Sequence, residues 1–467
     1  MANRGAFSFK EQRHPAEKLC FQVLLLLLLP AAAFACALPP SVILTLPTGY
    51  YTLGGALTVL LTAMMGASLT KLPEMRAVTL LERRRWLPVT VSSYISFLIF
   101  MGLLLIGFFG ARDPMHNLLT LVFWTVIWVA VPLASMILGN LWRSINPWTA
   151  PVRLTRAAIG RTSSIGLHRL DHWPAVIGFA GFSWFQMVSL SPDDPFVLAV
   201  VLSIYWILIF ALAVLDGEEF LARGEFLTVF MTYLAKVSPL WLDISGQRAS
   251  IRLGWPGTQV LSLPPLTMSS MAFVTIALAS LTFDGLKDTF WWHGLIGENP
   301  LEPTGRSAVV IENTAGLLAV WALTCLSIHL VHLMGSQLAG GSLNAGPVML
   351  SFLAIAAGYH AAHYLITLLT TGQYTLAALN DPLFRGDSVL GLPALYVSFG
   401  FLSDQRLMTL IYAAQFFTIL GAHVLAVFLS LRLVGRNLPI AAHLPMTVLM
   451  VAYTVLGLWL LSTARSG

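Results

Sequence analysis

Leu318-Ala319-Val320-Trp321-Ala322-Leu323-Thr324-Cys325-Leu326-Ser327-Ile328-His329-Leu330-Val331-His332 is an apolar run that carries two histidines near its end. A second such run follows, ending Gly358-Tyr359-His360-Ala361-Ala362-His363-Tyr364. In each run the histidines are spaced i, i+3, which puts both imidazoles on one helical face. His423 lies in a third apolar run, 419–429. Ionisable side chains at membrane depth are costly, so they usually face the bundle interior or a wet cavity and mark function.

The rest of the chain agrees with a membrane protein. Hydrophobic residues make up 57% and charged residues 10%, with a mean hydropathy of +0.79, far from a soluble domain's balance. Spans are expected at 50–68, 89–110, 118–140, 173–191, 196–215, 265–284, 312–334, 346–369, 406–431 and 444–463. The earlier run 21–38 is either one more transmembrane helix or a signal peptide, since Ala33-Phe34-Ala35 and Ala35-Cys36-Ala37 resemble small-residue cleavage sites. The predicted fold class is therefore all-α: a polytopic bundle of about 11 spans, each roughly 20 residues long.

Its expected parts are 1–40 (first span or signal peptide), 41–215 (N-terminal bundle), 216–264 (cytoplasmic or interfacial segment) and 265–467 (histidine-bearing bundle). Within the third, Phe226 to Leu242 is interrupted by Lys236 and Pro239 and reads as an amphipathic interfacial helix. The long loops 285–311 and 370–405 would cover the outer mouth. No internal repeat stands out, which weakens a transporter built from duplicated halves.

Charge orients the bundle. With a cytoplasmic N-terminus, 20 of the 26 Lys and Arg fall on inner segments and 6 on outer ones. The positive-inside rule then predicts a multi-pass protein of the bacterial inner membrane with its C-terminus outside. A sequence pI near 9.2 has the same source and does not indicate nucleic acid. The three cysteines show no CxxC spacing. P-loop, HExxH, GxSxG and Rossmann fingerprints are all missing.

The expected partners are the lipid bilayer and a small-molecule substrate, with a partner membrane subunit left open. His329, His332, His360, His363 and His423 are candidate ligands for a divalent transition metal (zinc, copper or iron) or for haem, since imidazole suits all three metals. At about 1.5 Å rise per residue, His423 and His329 lie roughly 25 Å below the outer ends of their helices, and His360 and His363 about 10–15 Å. His329, His423 and His360 are thus expected to converge, with His363 nearer the outer mouth. Asp284 and Glu312 sit at outer helix ends, as candidate catalytic carboxylates or as solvated termini. A metal beside a carboxylate base would suit ester hydrolysis, because the metal acidifies bound water. A metal-handling permease or a haem-bearing electron-transfer subunit would use the same histidines.

Several stretches carry a family resemblance: Gly139-Asn140-Leu141-Trp142-Arg143-Ser144-Ile145-Asn146-Pro147-Trp148, Thr282-Phe283-Asp284-Gly285, Gly358-Tyr359 through His363-Tyr364, and Gly372-Gln373-Tyr374 with Asp381-Pro382. Over most of its length after residue 45 the chain resembles bacterial polytopic membrane proteins labelled fenitrothion hydrolase. That resemblance implies hydrolysis of an organophosphorus ester by a membrane-bound enzyme. It supplies no catalytic residue, so the candidate site rests on the side chains alone.

Overall fold

The computed structural model describes residues 48–68, 72–84, 89–245, 248–302, 304–391, 393, 396–434 and 438–463. All of them belong to one compact unit. The expected first span, 21–38, lies outside the described residues.

Among the described residues, twelve principal helices and three strands build the fold, with shorter helical segments between them. The first half holds α1 (Thr48–Ser68), β1 (Ala77–Arg84), α2 (Val89–Phe109), α3 (Leu118–Leu138), α4 (Trp173–Met187) and α5 (Pro195–Asp216). Next come α6 (Phe226–Ala235), β2 (Leu240–Ser245) and β3 (Arg248–Gly254). The second half holds α7 (Met268–Leu286), α8 (Val310–Leu338), α9 (Ala345–His363), α10 (Leu365–Asn380), α11 (Gln405–Val434) and α12 (Ile440–Ser462). Among the described residues, nine of these helices are long and apolar enough to cross a membrane. The chain is a helical membrane protein.

Connections alternate between two faces of the bundle, as spans must. On one face Ser93 Oγ donates to Asn146 O at 2.5 Å, Ser269 Oγ to Asp171 at 2.6 Å, and Arg432 to Pro73 O at 2.7 Å. Arg153 pairs with Glu218 there as well. On the other face Arg306 donates to Gln186 O at 3.0 Å, Thr120 Oγ1 donates to Asp193 O at 3.3 Å, and Phe384 packs on His116. The first face carries Arg143, Arg153, Arg156, Arg161, Arg169, Arg223 and Lys236, and is called the basic face below.

Three expectations change. The span predicted over 173–191 is a helix of only 15 residues, about 22 Å long at 1.5 Å per residue. It stops at Met187 because Ser191-Pro192-Asp193-Asp194 turns the chain, with Asp194 capping α5 through Phe196 N and Val197 N. The loop expected from residue 370 is instead helical as far as Asn380.

The third change concerns 216–264. Phe226–Ala235 is no interfacial amphipathic helix, since none of its residues is exposed. Its N-cap Glu225 is fully buried and accepts from Leu227 N, Thr228 N, Thr228 Oγ1 and Tyr205 Oη. Those four donors let a carboxylate sit inside the protein. The segment then forms β2 and β3, and β1 joins them from far earlier in the chain. The resulting antiparallel sheet runs β1-β3-β2, from Ala77 opposite Gly254 to Arg84 opposite Arg248. An all-α bundle thus carries one small sheet on its basic face.

Candidate functional site

The site forms where α7 and α9 approach near the face opposite the sheet. α7 is the most enclosed of the early helices, buried from Phe273 to Gly285 almost without interruption. Gly285 permits the approach: a Cβ there would stand 2.5 Å from Tyr359 Oη on α9. Gly358 does the same on the other side of α9, where a Cβ would stand 2.2 Å from the Ala422 Cβ of α11. The α-helix of α9 breaks at Tyr364, at φ −90° and ψ 5°. That break lets two consecutive residues, His363 and Tyr364, both reach Asp284.

His363 Nε2–H donates to Asp284 Oδ2 at 3.0 Å, and Tyr364 Oη donates to the same oxygen at 2.7 Å. Gln186, at the end of α4, donates to Tyr364 Oη at 3.0 Å. Lys287 Nζ lies 3.8 Å from Asp284 Oδ1 and 2.7 Å from Asp288 Oδ2. Burial works to lower the pKa of Lys287, but Asp288 and Asp284 outweigh it, so the ammonium is held charged above its ordinary value. Buried charges persist only when paired and hydrogen-bonded, and each of these is.

One imidazole nitrogen stands apart from this network. In the neutral imidazole, with the proton on Nε2 given to Asp284, Nδ1 of His363 carries a lone pair. It is buried, and no described residue donates to it. The Tyr359 ring stacks on the imidazole at 5.8 Å and 11°, and Tyr364 packs against its edge. A histidine oriented through one nitrogen by a carboxylate, with the other nitrogen free, is built to take a proton.

The other candidates are placed elsewhere. His360 is fully buried, and its Nε2–H donates to Trp128 O at 3.1 Å, inside a stretch of α3 wound as a π-helix. His423 gives Nδ1–H to Ile419 O of its own helix at 2.9 Å. His329 is exposed on α8, and His332 lies one turn further along. α8 packs against α7 and α12, whereas α11 packs against α9, α1 and α12. The expected convergence of His329, His423 and His360 is therefore not formed. Glu312 sits in the first turn of α8, and no hydrogen bond or ion pair joins it to Asp284 or His363.

A divalent transition metal or haem is the expected partner of these histidines. Among the described residues no group of three or more His, Cys, Asp or Glu side chains is placed to hold an ion. Asp284 and His363 spend their facing atoms on each other, and His360 Nε2 is spent on a carbonyl. Asp284 and His363 by themselves supply two donors, short of a three-ligand set.

Sequence reasoning found Asp284 and His363 and missed Gln186 and Lys287. Lys287 was signalled by its i, i+3 spacing from Asp284, and Gln186 is the lone amide in the run Phe179 to Val188. Behind His360 the bundle is packed with rings. Trp128 stacks on Phe230 at 5.1 Å and lies 4.6 Å from Phe182, and Phe179 meets both Phe230 and Phe273.

No known family model matches this chain, and neither a curated protein nor a solved structure matches it.

Proposed function

We propose that the chain is a membrane-embedded hydrolase in which His363 is the general base and Asp284 orients it. The observation that carries this reading is the free, buried Nδ1 of a histidine held by a carboxylate. In the proposed step a water gives its proton to His363 Nδ1 as its oxygen attacks the electrophilic centre of an ester. The alkoxide or aryloxide departs with the bonding pair. Asp284 stabilises the imidazolium, Tyr364 and Gln186 fix the carboxylate's direction, and Lys287 balances its charge. No step is routed through a metal.

The substrate class rests on the resemblance to proteins labelled fenitrothion hydrolase, which implies an organophosphorus triester. Two of the stretches that carry the resemblance, 282–285 and 358–364, are the ones that meet here. The positive-inside rule supports a bacterial inner membrane with the basic face cytoplasmic, so that the dyad lies towards the outer half.

A proton-coupled transporter is the second reading, favoured by ionisable groups buried between helices. The rings around Trp128 and Phe179 weigh against it, because they pack apolar surface beside His360, between the helices that carry the dyad. Full-length protein in detergent, which abolishes compartments, distinguishes the two. Fenitrothion or another aryl phosphotriester should be hydrolysed, and His363→Gln should remove the activity while leaving the folded yield. Absence of any ester hydrolysis, together with solute movement in vesicles holding the protein, would reject the enzyme.

A further inference from the structure

A cavity of about 610 Å³ opens on the basic face, away from Asp284 and His363. One wall is the 139–148 turn, which starts at Gly139 with φ +83° against the backbone of Trp241. That turn is fixed to α6 by three hydrogen bonds of 3.0 Å: Asn140 to Thr232, and both Trp142 and Asn146 to Thr228. The cavity is thus held open by a tied frame rather than by loose loops. Its volume falls in the roughly 300–1,000 Å³ range of small-molecule sites.

Three cations line it, and two of them, Arg143 and Lys236, have no ion-pair partner among the described residues. Arg153 also lines it but is committed to Glu218, and nearby Asp243 is committed to Arg252. Lys236 has its pKa lowered, first by burial and then by the charge of Arg143, with Asp243 opposing. Like charges are held together around a shared space at a cost, and an anion between them removes it. Beside them are the half-exposed apolar side chains of Leu138 and Leu242.

We propose that this cavity binds a phosphate-bearing amphiphile, its anionic head between Arg143 and Lys236 and its apolar remainder along Leu138, Leu242 and Ile244. Basic pockets between helices at a cytoplasmic membrane face recognise phospholipid head groups on the same physical basis. Arg supplies planar, paired donors to phosphate oxygens and Lys a point charge. The site is independent of the proposed hydrolase chemistry.

Thermal unfolding of the full chain in a neutral detergent tests it, with three probes: dihexanoyl phosphatidic acid, dihexanoyl phosphatidylcholine and inorganic phosphate. Phosphatidic acid should raise the unfolding temperature saturably, and the zwitterionic lipid should do so far less. Arg143→Gln with Lys236→Gln should weaken the apparent affinity about tenfold or more, while Arg169→Gln, outside the cavity, should not. If the double variant does not fold, the exposed Arg143 alone is replaced and the same loss is read. Equal protection by phosphatidylcholine, or undiminished protection of the folded variant, would overturn the site. Equal protection by inorganic phosphate would overturn the amphiphile and leave a free phosphate compound as the ligand.

Discussion

His363 Nε2 stands 3.0 Å from Asp284 Oδ2, although 79 positions separate the two residues. If they act as one unit, their replacements should not be additive. His363→Gln and Asp284→Asn should each lower turnover of an aryl phosphotriester by about 10²- to 10⁴-fold, the usual worth of a positioned general base. The double variant should be little worse than the poorer single one. Losses that multiply would separate the residues functionally.

Tyr364→Phe removes one donor to Asp284 and takes away the acceptor of Gln186. An orphaned buried polar group costs about 1–3 kcal/mol, so the variant should unfold at lower temperature. Adding Gln186→Leu should recover part of that loss, because the stranded amide goes with it. A double variant less stable than Tyr364→Phe would contradict the pairing.

Gly358→Ala places a methyl 2.2 Å from the Ala422 Cβ and 3.1 Å from Thr418 O. Overpacking of this kind costs about 1–3 kcal/mol, and α9 should move off α11 with the dyad attached. Gly421→Ala, on α11 with nothing within 4 Å of its Cβ, is the matched control. It should be at least as stable as the parent, by up to about 1 kcal/mol from the higher helix propensity of alanine. Equal behaviour of the two variants in thermal unfolding would refute the close contact.

On the basic face, His172 has its pKa lowered from the ordinary 6.5, chiefly by burial, against the pull of Asp171 2.8 Å away and with Arg223 adding to the lowering. Ser270 and Tyr233 also face it. A depressed histidine favours the fold while neutral. Its contribution is therefore present above pH 6.5 and is lost as pH falls from there through the lower folded-state value. Unfolding temperature measured between pH 8 and pH 5 should decline less steeply for His172→Gln than for the parent.

Because the donor set offers no three-ligand centre, a strong chelator should leave phosphotriester turnover unchanged. His329→Ala and His332→Ala should do the same. Stoichiometric metal in the purified protein that disappears with His363→Gln would restore a metal to the site.

Much of the bundle is legible as hydropathy, because each span must satisfy its own backbone hydrogen bonds and so declares itself locally. Asp284 and His363 are legible for a related reason: polar side chains stand out against apolar helices. Their partnership is not, since it depends on the helix break at Tyr364 and on the bare backbone at Gly285. The sheet escapes for a further reason. Ala77–Arg84 alternates poorly, with Val78, Leu80 and Leu81 all exposed, and a strand's stability resides in its cross-strand neighbours. Those neighbours come from β3, beyond the intervening helices α2 to α6.

That separation has a temporal meaning. Chains emerge N-terminus first, so β1 is made before α2, α3, α4 and α5, all of which precede β3. Throughout that interval its row of backbone donors and acceptors has no mate, and an open edge is an invitation to any passing strand. Arrival of the hairpin closes the edge and staples the earliest described helix to the middle of the polypeptide. A nascent chain halted before Arg248 would carry an unsealed seam, and degradation machinery that recognises exposed strands would find it there.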